Sequence, residues 1–319
     1  MKTKTIINIK LKSSVLFIFC LVFVSCGTRS GKQTLIFTDF PDLQIGFSTQ
    51  NFQKAMPNNV ENLTEIIEYA AKEGYQFIEL RDDLAKLSTE ECKTLAEVAK
   101  RNKVGVIYEI HKNLLDSGFI NVFEKGLENT LIFPGPGIIR TVISKSEFED
   151  DASKKGWNKD ELLLLIKIAD SCASIAKTKN AQFIVENFNE AFFGDGTNYS
   201  GLADFFTNSS YTGLQFDTGN PFSKTAREKA DPEEVLIFLS TLGNRWVTTH
   251  LKTINFEGGV MQPMLTDNPL PVEKVITLMG QQNVLYAALE LASVADKQQC
   301  FTNHAQSIQF LKDKGILKK

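Results

Sequence analysis

GLQFDTGN, at residues 213–220, is a short β-rich run that ends in an acidic side chain followed by turn residues. Three more runs in the second half of the chain have the same form, FIVEN (183–187), WVTTHLK (246–252) and VLYAALEL (284–291). Each has the length of a strand and has at least one titratable group at or near its end. Such runs are typical of buried parallel strands whose carboxyl ends carry functional side chains. They predict an α/β fold with its chemistry at one edge of the sheet.

The same alternation extends through the first half of the chain. Further β-rich runs lie at Ile45–Ser48, Gln76–Leu80, Val104–Tyr108 and Ile138–Ile143, and amphipathic helical stretches separate them. A capping signature at Ser88 begins one of these helices. Eight strand–helix units in a chain of this length predict a single (β/α)8 TIM barrel. Neither GxGxxG nor GxxxxGK[ST] follows a strand, which argues against a nucleotide-binding sheet.

The amino terminus predicts an export signal. Four lysines and no acid precede and flank an apolar run, Val15–Val24, as in a signal peptide. FVSCG at 23–27 resembles a bacterial lipobox in which Cys26 takes the lipid. A plain secretory signal and an N-terminal anchor helix are the alternatives. We expect a lipoprotein of the bacterial cell envelope, held at the membrane through its lipid anchor only.

The chain therefore divides into a lipoprotein signal peptide at 1–25, a lipid-anchored tether at 26–42 and the TIM barrel at 43–319. The formal net charge of −3 becomes −7 when the four lysines of the signal peptide are removed. A net acidic body without a basic block argues against nucleic acid as a partner. The oligomeric state stays open, and a homo-oligomer is one alternative.

Four titratable residues stand at the ends of the last four predicted strands: Glu186, Asp217, His250 and Glu290. They are 31, 33 and 40 residues apart, so each spacing fits one strand–helix unit and the barrel would direct all four into one mouth. Three carboxylates and one imidazole suit a divalent cation, Mn²⁺, Mg²⁺ or Co²⁺, with Zn²⁺ as an alternative. The other interpretation is that the four groups are unrelated to one another and form helix caps and salt bridges. We favour a shared metal because it stabilises carboxylates placed after apolar strands.

Six motifs resemble, in order, the xylose isomerase-like TIM-barrel superfamily, the sugar phosphate isomerase/epimerase family. They are IGFSTQNF (45–52), GYQFIELRDD (74–83), FIVENFN (183–189), LQFDTGN (214–220), THLKT (249–253) and ALELA (288–292). The resemblance covers the chain from Ile45 to about Leu311.

The resemblance implies proton transfer next to a carbonyl. Ketose 3-epimerases of the family hold one metal with a Glu, an Asp, a His and a Glu, and the two glutamates move the proton. By that resemblance Glu186, Asp217, His250 and Glu290 are the metal ligands, and Glu186 and Glu290 are the catalytic acid and base. A divalent ion stabilises the enediolate, while an acid and a base act on the two faces of the substrate. The expected substrate is a small sugar, a keto sugar or a glycoside.

Four further residues are assigned to substrate binding. Lys252 lies two residues past His250, on the same side of the strand, and can hold a hydroxyl or a developing oxyanion; a surface lysine is the alternative. Arg81 and His111 stand at the ends of the second and third strands. Asn220 takes the fourth position of the DxxH motif that family members often carry, and it replaces the histidine.

Other residues leave the activity open. Trp157 and Phe188 can stack on a sugar or pack in the core, and we expect His304 to be a solvated helical residue.

Asn189, like Asn220, stands where family members often have a histidine, which puts the usual ketose substrate in question. A 3-keto-glycoside lyase or hydratase on the same site and a non-catalytic sugar-binding lipoprotein are therefore kept as alternatives. Three histidines argue against the histidine-rich, trinuclear zinc branch of endonuclease IV type.

Overall fold

The computed structural model of the 319-residue chain describes residues 34–143, 156–188, 190–194, 200–223, 230–255 and 257–319. The signal peptide, the lipidated Cys26 and the first part of the tether lie outside the described residues and stay predictions. Asn189 also lies outside them.

Eight parallel strands form a closed barrel in chain order, and β1 pairs with β8 to complete it. The strands are β1 (Gln44–Ser48), β2 (Phe77–Arg81), β3 (Gly105–Glu109), β4 (Ile138–Val142), β5 (Gln182–Glu186), β6 (Gly213–Asp217), β7 (Trp246–Leu251) and β8 (Tyr286–Leu289). The prediction of a (β/α)8 TIM barrel is confirmed.

A helix follows each strand. The helices are α1 (Val60–Glu73), α2 (Thr89–Asn102), α3 (Phe119–Thr130), α4 (Lys159–Thr178), α5 (Leu202–Asn208), α6 (Pro232–Thr241), α7 (Val272–Gln281) and α8 (Lys297–Asp313). Ser88 and Glu91 form the capping box predicted at the start of α2, and Asn158 and Glu161 form another at α4. Within the described ranges, no helix has both the length and the apolar character to cross a membrane.

The carboxyl ends of β5, β6 and β7 extend slightly further than predicted. β5 and β6 include Glu186 and Asp217 as their last residues, and β7 continues through His250 to Leu251. These strands are longer because hydrogen bonding between neighbouring strands continues to the mouth of the barrel, where Asp217 on β6 is in register with His250 on β7. These side chains therefore project from hydrogen-bonded strands and not from loops, which fixes their positions more firmly.

The barrel interior is apolar at its lower end and polar above. The lower layer consists of Phe77, Ile107, Ile138, Ile184, Val247 and Ala288. Gly46 leaves space for the Phe77 side chain of this layer, because a Cβ atom at position 46 would lie 2.7 Å from the Phe77 ring. Two residues further along β2 to β5, the corresponding positions hold Glu79, Glu109, Arg140 and Glu186. Because side chains alternate with a period of two, this polar layer also points into the barrel, and it reaches the mouth at Glu186.

The packed part of the chain begins earlier than predicted. Leu35 and Phe37 are buried, Phe37 forms a β-bridge with Leu317, and the Lys318 amide donates to the Ile36 carbonyl at 2.9 Å. Residues 34–42, which the sequence assigned to the tether, therefore belong to the folded body.

The expectation that His304 is solvated is wrong. His304 is 1% exposed; its ring stacks on Phe52, with centroids 4.8 Å apart, and meets Phe47 edge-on at 4.7 Å. Asn51 Nδ2 donates to Nε2 at 3.2 Å, which leaves the ring proton on Nδ1, 3.4 Å from the Tyr75 hydroxyl. Burial lowers the pKa of His304 to about 3. The imidazole is thus a neutral member of an aromatic cluster.

This burial predicts acid sensitivity. Between the folded pKa of about 3 and an unfolded value of about 6.5, only the unfolded chain binds a proton at His304, so stability falls as pH falls. Between about pH 7.5 and pH 5 this one group should remove about 2 kcal/mol from the free energy of unfolding. The His304→Gln variant should lack that component, as measured by urea denaturation at both pH values. An equal loss in the two proteins would contradict the assignment.

Candidate metal centre

The mouth of the barrel brings together Glu186, Asp217, His250 and Glu290. One ligand atom from each lies within 4.8 Å of the other three, and no side chain of the four is more than 5% exposed. His250 Nδ1 is 2.9 Å from Glu186 Oε1, 2.9 Å from Glu290 Oε2 and 3.4 Å from Asp217 Oδ2. The four residues singled out by the sequence therefore converge on one small volume, as a shared cation requires.

The Asp217 carboxylate is held so that one oxygen faces this volume. Its Oδ1 accepts hydrogen bonds from the amides of Gly219 and Asn220, both at 2.8 Å, and the Asp217 amide donates to Asn187 Oδ1 at 2.7 Å. Asp217 Oδ2 and Glu290 Oε2 are buried and contact the Lys252 ammonium group at 2.9 Å and 2.8 Å, although no hydrogen bond of good geometry reaches them from the described residues. Three buried carboxylates beside one ammonium group still carry excess negative charge, so a further cation fits here.

Asn51 holds the backbone on both sides of Glu290. Its Nδ2 donates to the Leu289 carbonyl at 3.0 Å, and its Oδ1 accepts from the Leu291 amide at 2.9 Å. The same Nδ2 contacts His304. The amide thereby fixes the direction in which Glu290 leaves the end of β8, and it links that end to α8.

His250 is oriented by a carboxylate behind it. Its Nε2 bonds Glu79 on β2, which also accepts from the side-chain amide of Gln215. Nδ1 is therefore the nitrogen that faces the other three ligands, in the carboxylate–histidine–metal arrangement common in metal sites. Burial lowers the pKa of His250, but Glu79 and the carboxylates of Glu290 and Glu186 outweigh it and raise the pKa well above its ordinary value.

Arg140 connects the ligands to the polar layer below. Its guanidinium bonds Glu186 and lies 2.6 Å from Glu109 Oε2 and 3.9 Å from Glu79 Oε2. Burial raises the pKa of Glu109, yet Arg140 and Arg81 lower it to about 2. Glu109 is thus ionised, and Arg140 is the positive centre of this layer.

The charges of this region favour a divalent cation. Five carboxyl groups are buried in it: those of Glu79, Glu109, Glu186, Asp217 and Glu290. Against them stand two buried cationic groups, Arg140 and Lys252. The partly buried Arg81 lies 3.8 Å from Glu109, but it is paired with Asp83 at 2.7 Å. Even a protonated His250 would leave the cluster negative, and a divalent ion would offset that charge.

Glu79, Glu109, Arg140 and Gln215 were not identified from the sequence. The signal was present for Glu79 and Gln215, because each lies between two apolar residues inside a predicted strand. It was weaker for Arg140, which precedes Thr141, and for Glu109, which follows the end of a predicted strand. Such a residue must find a buried partner, since an unpaired one would be too costly.

A cavity of about 400 Å³ opens above the four converging residues, and Glu186 and Glu290 line it. All four residues assigned to substrate binding line it, Arg81, His111, Asn220 and Lys252. Phe188 lines it too, whereas Trp157 is fully buried against Phe205, with ring centroids 6.4 Å apart. Trp157 is therefore a core residue, and Phe188 is the aromatic side chain available to a sugar.

His111 adopts an unusual backbone conformation at the cavity wall. Its φ is +34°, in the left-handed region that non-glycine residues seldom adopt, and its Nδ1 is 3.2 Å from Glu109 Oε1. Strained backbone of this kind is concentrated at functional sites.

A larger groove, about 710 Å³, lies between α1 and α8 and is lined by residues such as Tyr69 and Phe301. We place the site in the smaller cavity because Glu186 and Glu290 open into it.

Comparison with solved structures identifies the architecture. A D-tagatose 3-epimerase-like protein has a TM-score of 0.62 at 12% identity, over 85% of this chain and 98% of that one. A D-allulose 3-epimerase from Methylomonas sp. in complex with D-allulose has 0.60 at 12%, over 88% and 99%. A xylose isomerase-like TIM barrel protein from Mycobacterium smegmatis in complex with magnesium has 0.55 at 15%, over 85% and 97%.

The fold is the closed (β/α)8 barrel that these solved structures share. At these identities the likeness establishes the fold alone. No family model matches the chain, and no curated protein matches it. The chemistry of this barrel therefore depends on what its own residues can bind and do.

Proposed function

We propose that the protein is a divalent-metal-dependent sugar isomerase or epimerase. Its substrate would be a sugar or keto sugar, and its reaction the transfer of a proton on a carbon next to a carbonyl. The observation that carries the proposal is the convergence of Glu186, Asp217, His250 and Glu290 within 4.8 Å at the floor of a cavity.

The donor set matches the proposed cofactor. Three carboxylates and a nitrogen favour Mn²⁺, Mg²⁺ or Co²⁺, with Zn²⁺ as an alternative. Glu186, Asp217, His250 and Glu290 would hold the ion, and Glu79 would orient the histidine. When bound, the ion would polarise the substrate carbonyl and stabilise the enediolate.

The protein's own groups supply the proton transfer. Glu186 and Glu290 line the cavity from β5 and from the end of β8, and their positions suit a base on one side of the substrate and an acid on the other. Lys252 and Asn220 line the same cavity and could bind substrate oxygens, with Arg81 and His111 on its wall. Phe188 offers an apolar surface to a sugar ring.

The fold comparisons agree with this proposal. Solved barrels of the same fold are described as complexes with D-allulose, with D-tagatose and with magnesium. Those ligands and that ion are therefore the first to test with this protein. Export and lipid attachment through Cys26 are a separate proposal, based on the amino-terminal sequence alone.

Metal binding tests the centre directly. We expect about one Mn²⁺ per chain in the purified protein, and loss of that ion in His250→Ala and Asp217→Ala, because each variant removes one of four ligands. Isothermal titration of metal-free protein with Mn²⁺ measures the stoichiometry. Glu68→Gln, on the exposed face of α1, is the control and should bind as the unmutated protein does. No binding to the unmutated protein would remove the metal centre and favour the sugar-binding alternative.

Two further measurements separate the candidate activities. Incorporation of solvent deuterium at a sugar carbon identifies either enzyme, because both abstract a proton next to a carbonyl. Release of the aglycone from a 3-keto glycoside identifies the lyase, since isomerisation expels no leaving group. A sugar that binds without either change would indicate the binding protein.

A further inference from the structure

We propose that Lys252 is a resident cation of this centre, and that its ammonium group competes with the metal for the same carboxylate oxygens. Lys252 Nζ lies 2.9 Å from Asp217 Oδ2 and 2.8 Å from Glu290 Oε2. These are the two oxygens that lack a hydrogen bond of good geometry and face the His250 ring. The inference rests on the proposed metal centre and adds how metal affinity is set.

The position of the ammonium group is built into the barrel. Lys252 is 6% exposed, and Asn220 Oδ1 lies 3.0 Å from its Nζ, so that three oxygens surround the group. Gly219 provides the space for its stem, because a Cβ there would lie 2.7 Å from both Cγ and Cδ of Lys252. A side chain in place of Gly219 would push the lysine away from the carboxylates.

Competition follows from the charges. A divalent ion would bind the oxygens that the ammonium group now contacts, and two cations at such close range repel strongly in a buried site. Lys252 also lines the cavity beside Asn220 and Glu290, so an ammonium group displaced by metal has room there. It would then be available to a substrate oxygen, which couples metal loading to substrate binding.

Titration with Mn²⁺ at fixed pH tests this inference. Lys252→Met keeps the length of the stem and removes the charge, and we expect it to bind Mn²⁺ about tenfold more tightly than the unmutated protein. Lys100→Met, an exposed lysine on α2, is the matched control and should leave the affinity unchanged. Lys252→Gln, which retains a hydrogen-bond donor, replaces the Met variant if that variant does not fold.

Thermal unfolding gives a second readout. Without metal, Lys252→Met should melt at a lower temperature than the unmutated protein, because Asp217 and Glu290 lose their counter-ion. Saturating Mn²⁺ should raise its melting temperature by more than it raises that of the unmutated protein. Equal or weaker affinity in the variant would overturn the inference and leave the metal centre intact. If neither the unmutated protein nor its variants bind Mn²⁺, both the inference about Lys252 and the proposed metal centre are overturned.

Discussion

Replacing Glu290 with glutamine is expected to abolish most of the proton transfer while leaving the fold intact. Glutamine has nearly the same shape and retains the contacts of Asn51 with the neighbouring backbone, but it can neither take nor return a proton. The rate should fall by about 10²–10⁴-fold, the usual contribution of general acid–base catalysis. The measurement is deuterium incorporation from solvent into D-allulose, D-tagatose and 3-keto glycosides, followed by mass spectrometry.

Parallel measurements make this result specific. Glu290 is also a proposed ligand, so Mn²⁺ titration of the variant must accompany the rate, and the rate is compared at saturating metal. Glu186→Gln should show a comparable loss, because the reaction needs one group on each face of the substrate. Glu68→Gln serves again as the control. Unchanged turnover in Glu290→Gln would remove the acid–base assignment.

Replacing Arg140 should produce the largest loss of stability. In Arg140→Met, the buried carboxylates of Glu186 and Glu109 lose the cation that bonds them, and Glu79 loses one 3.9 Å away. Breaking a buried ion pair from one side typically costs about 3–5 kcal/mol, because the remaining charge stays buried without a partner. Urea denaturation at neutral pH measures the loss.

An exposed arginine provides the comparison for Arg140. Arg101 on α2 is 67% exposed and lies 3.8 Å from Glu68, so Arg101→Gln should change stability by less than about 1 kcal/mol. A loss in Arg140→Met no larger than in this control would show that the buried carboxylates find other partners or take up protons. In that case the charge balance argued for the metal centre would need revision.

The sequence predicted the barrel and the four converging residues because both depend on local patterns. Strand-length runs followed by amphipathic helices predict the topology, and the rule that carboxyl ends meet at one mouth groups Glu186, Asp217, His250 and Glu290. The partners of the buried charges could not be predicted in this way. Glu79 bonds His250 from 171 residues away, a pairing fixed by barrel closure and side-chain packing and not by spacing along either strand.

The environment of single side chains was also hidden in the sequence. His304 lies in a helix of mixed composition, and only the packing of α8 against Phe47 and Phe52 shows that it is buried. The close contact of Lys252 with Asp217 depends on the space left by Gly219, which is visible only in three dimensions. Local patterns thus located the four positions that converge, while the contacts around them required the structure.

The β-bridge between Phe37 and Leu317 has a consequence for orientation. It lies at the end of the barrel where the strands begin, whereas Glu186, Asp217, His250 and Glu290 lie at the other end. Lys319, two residues after this bridge, is therefore on the side of the barrel opposite the cavity. A protein attached to a surface through Lys319 would accordingly present the cavity to the surrounding solution.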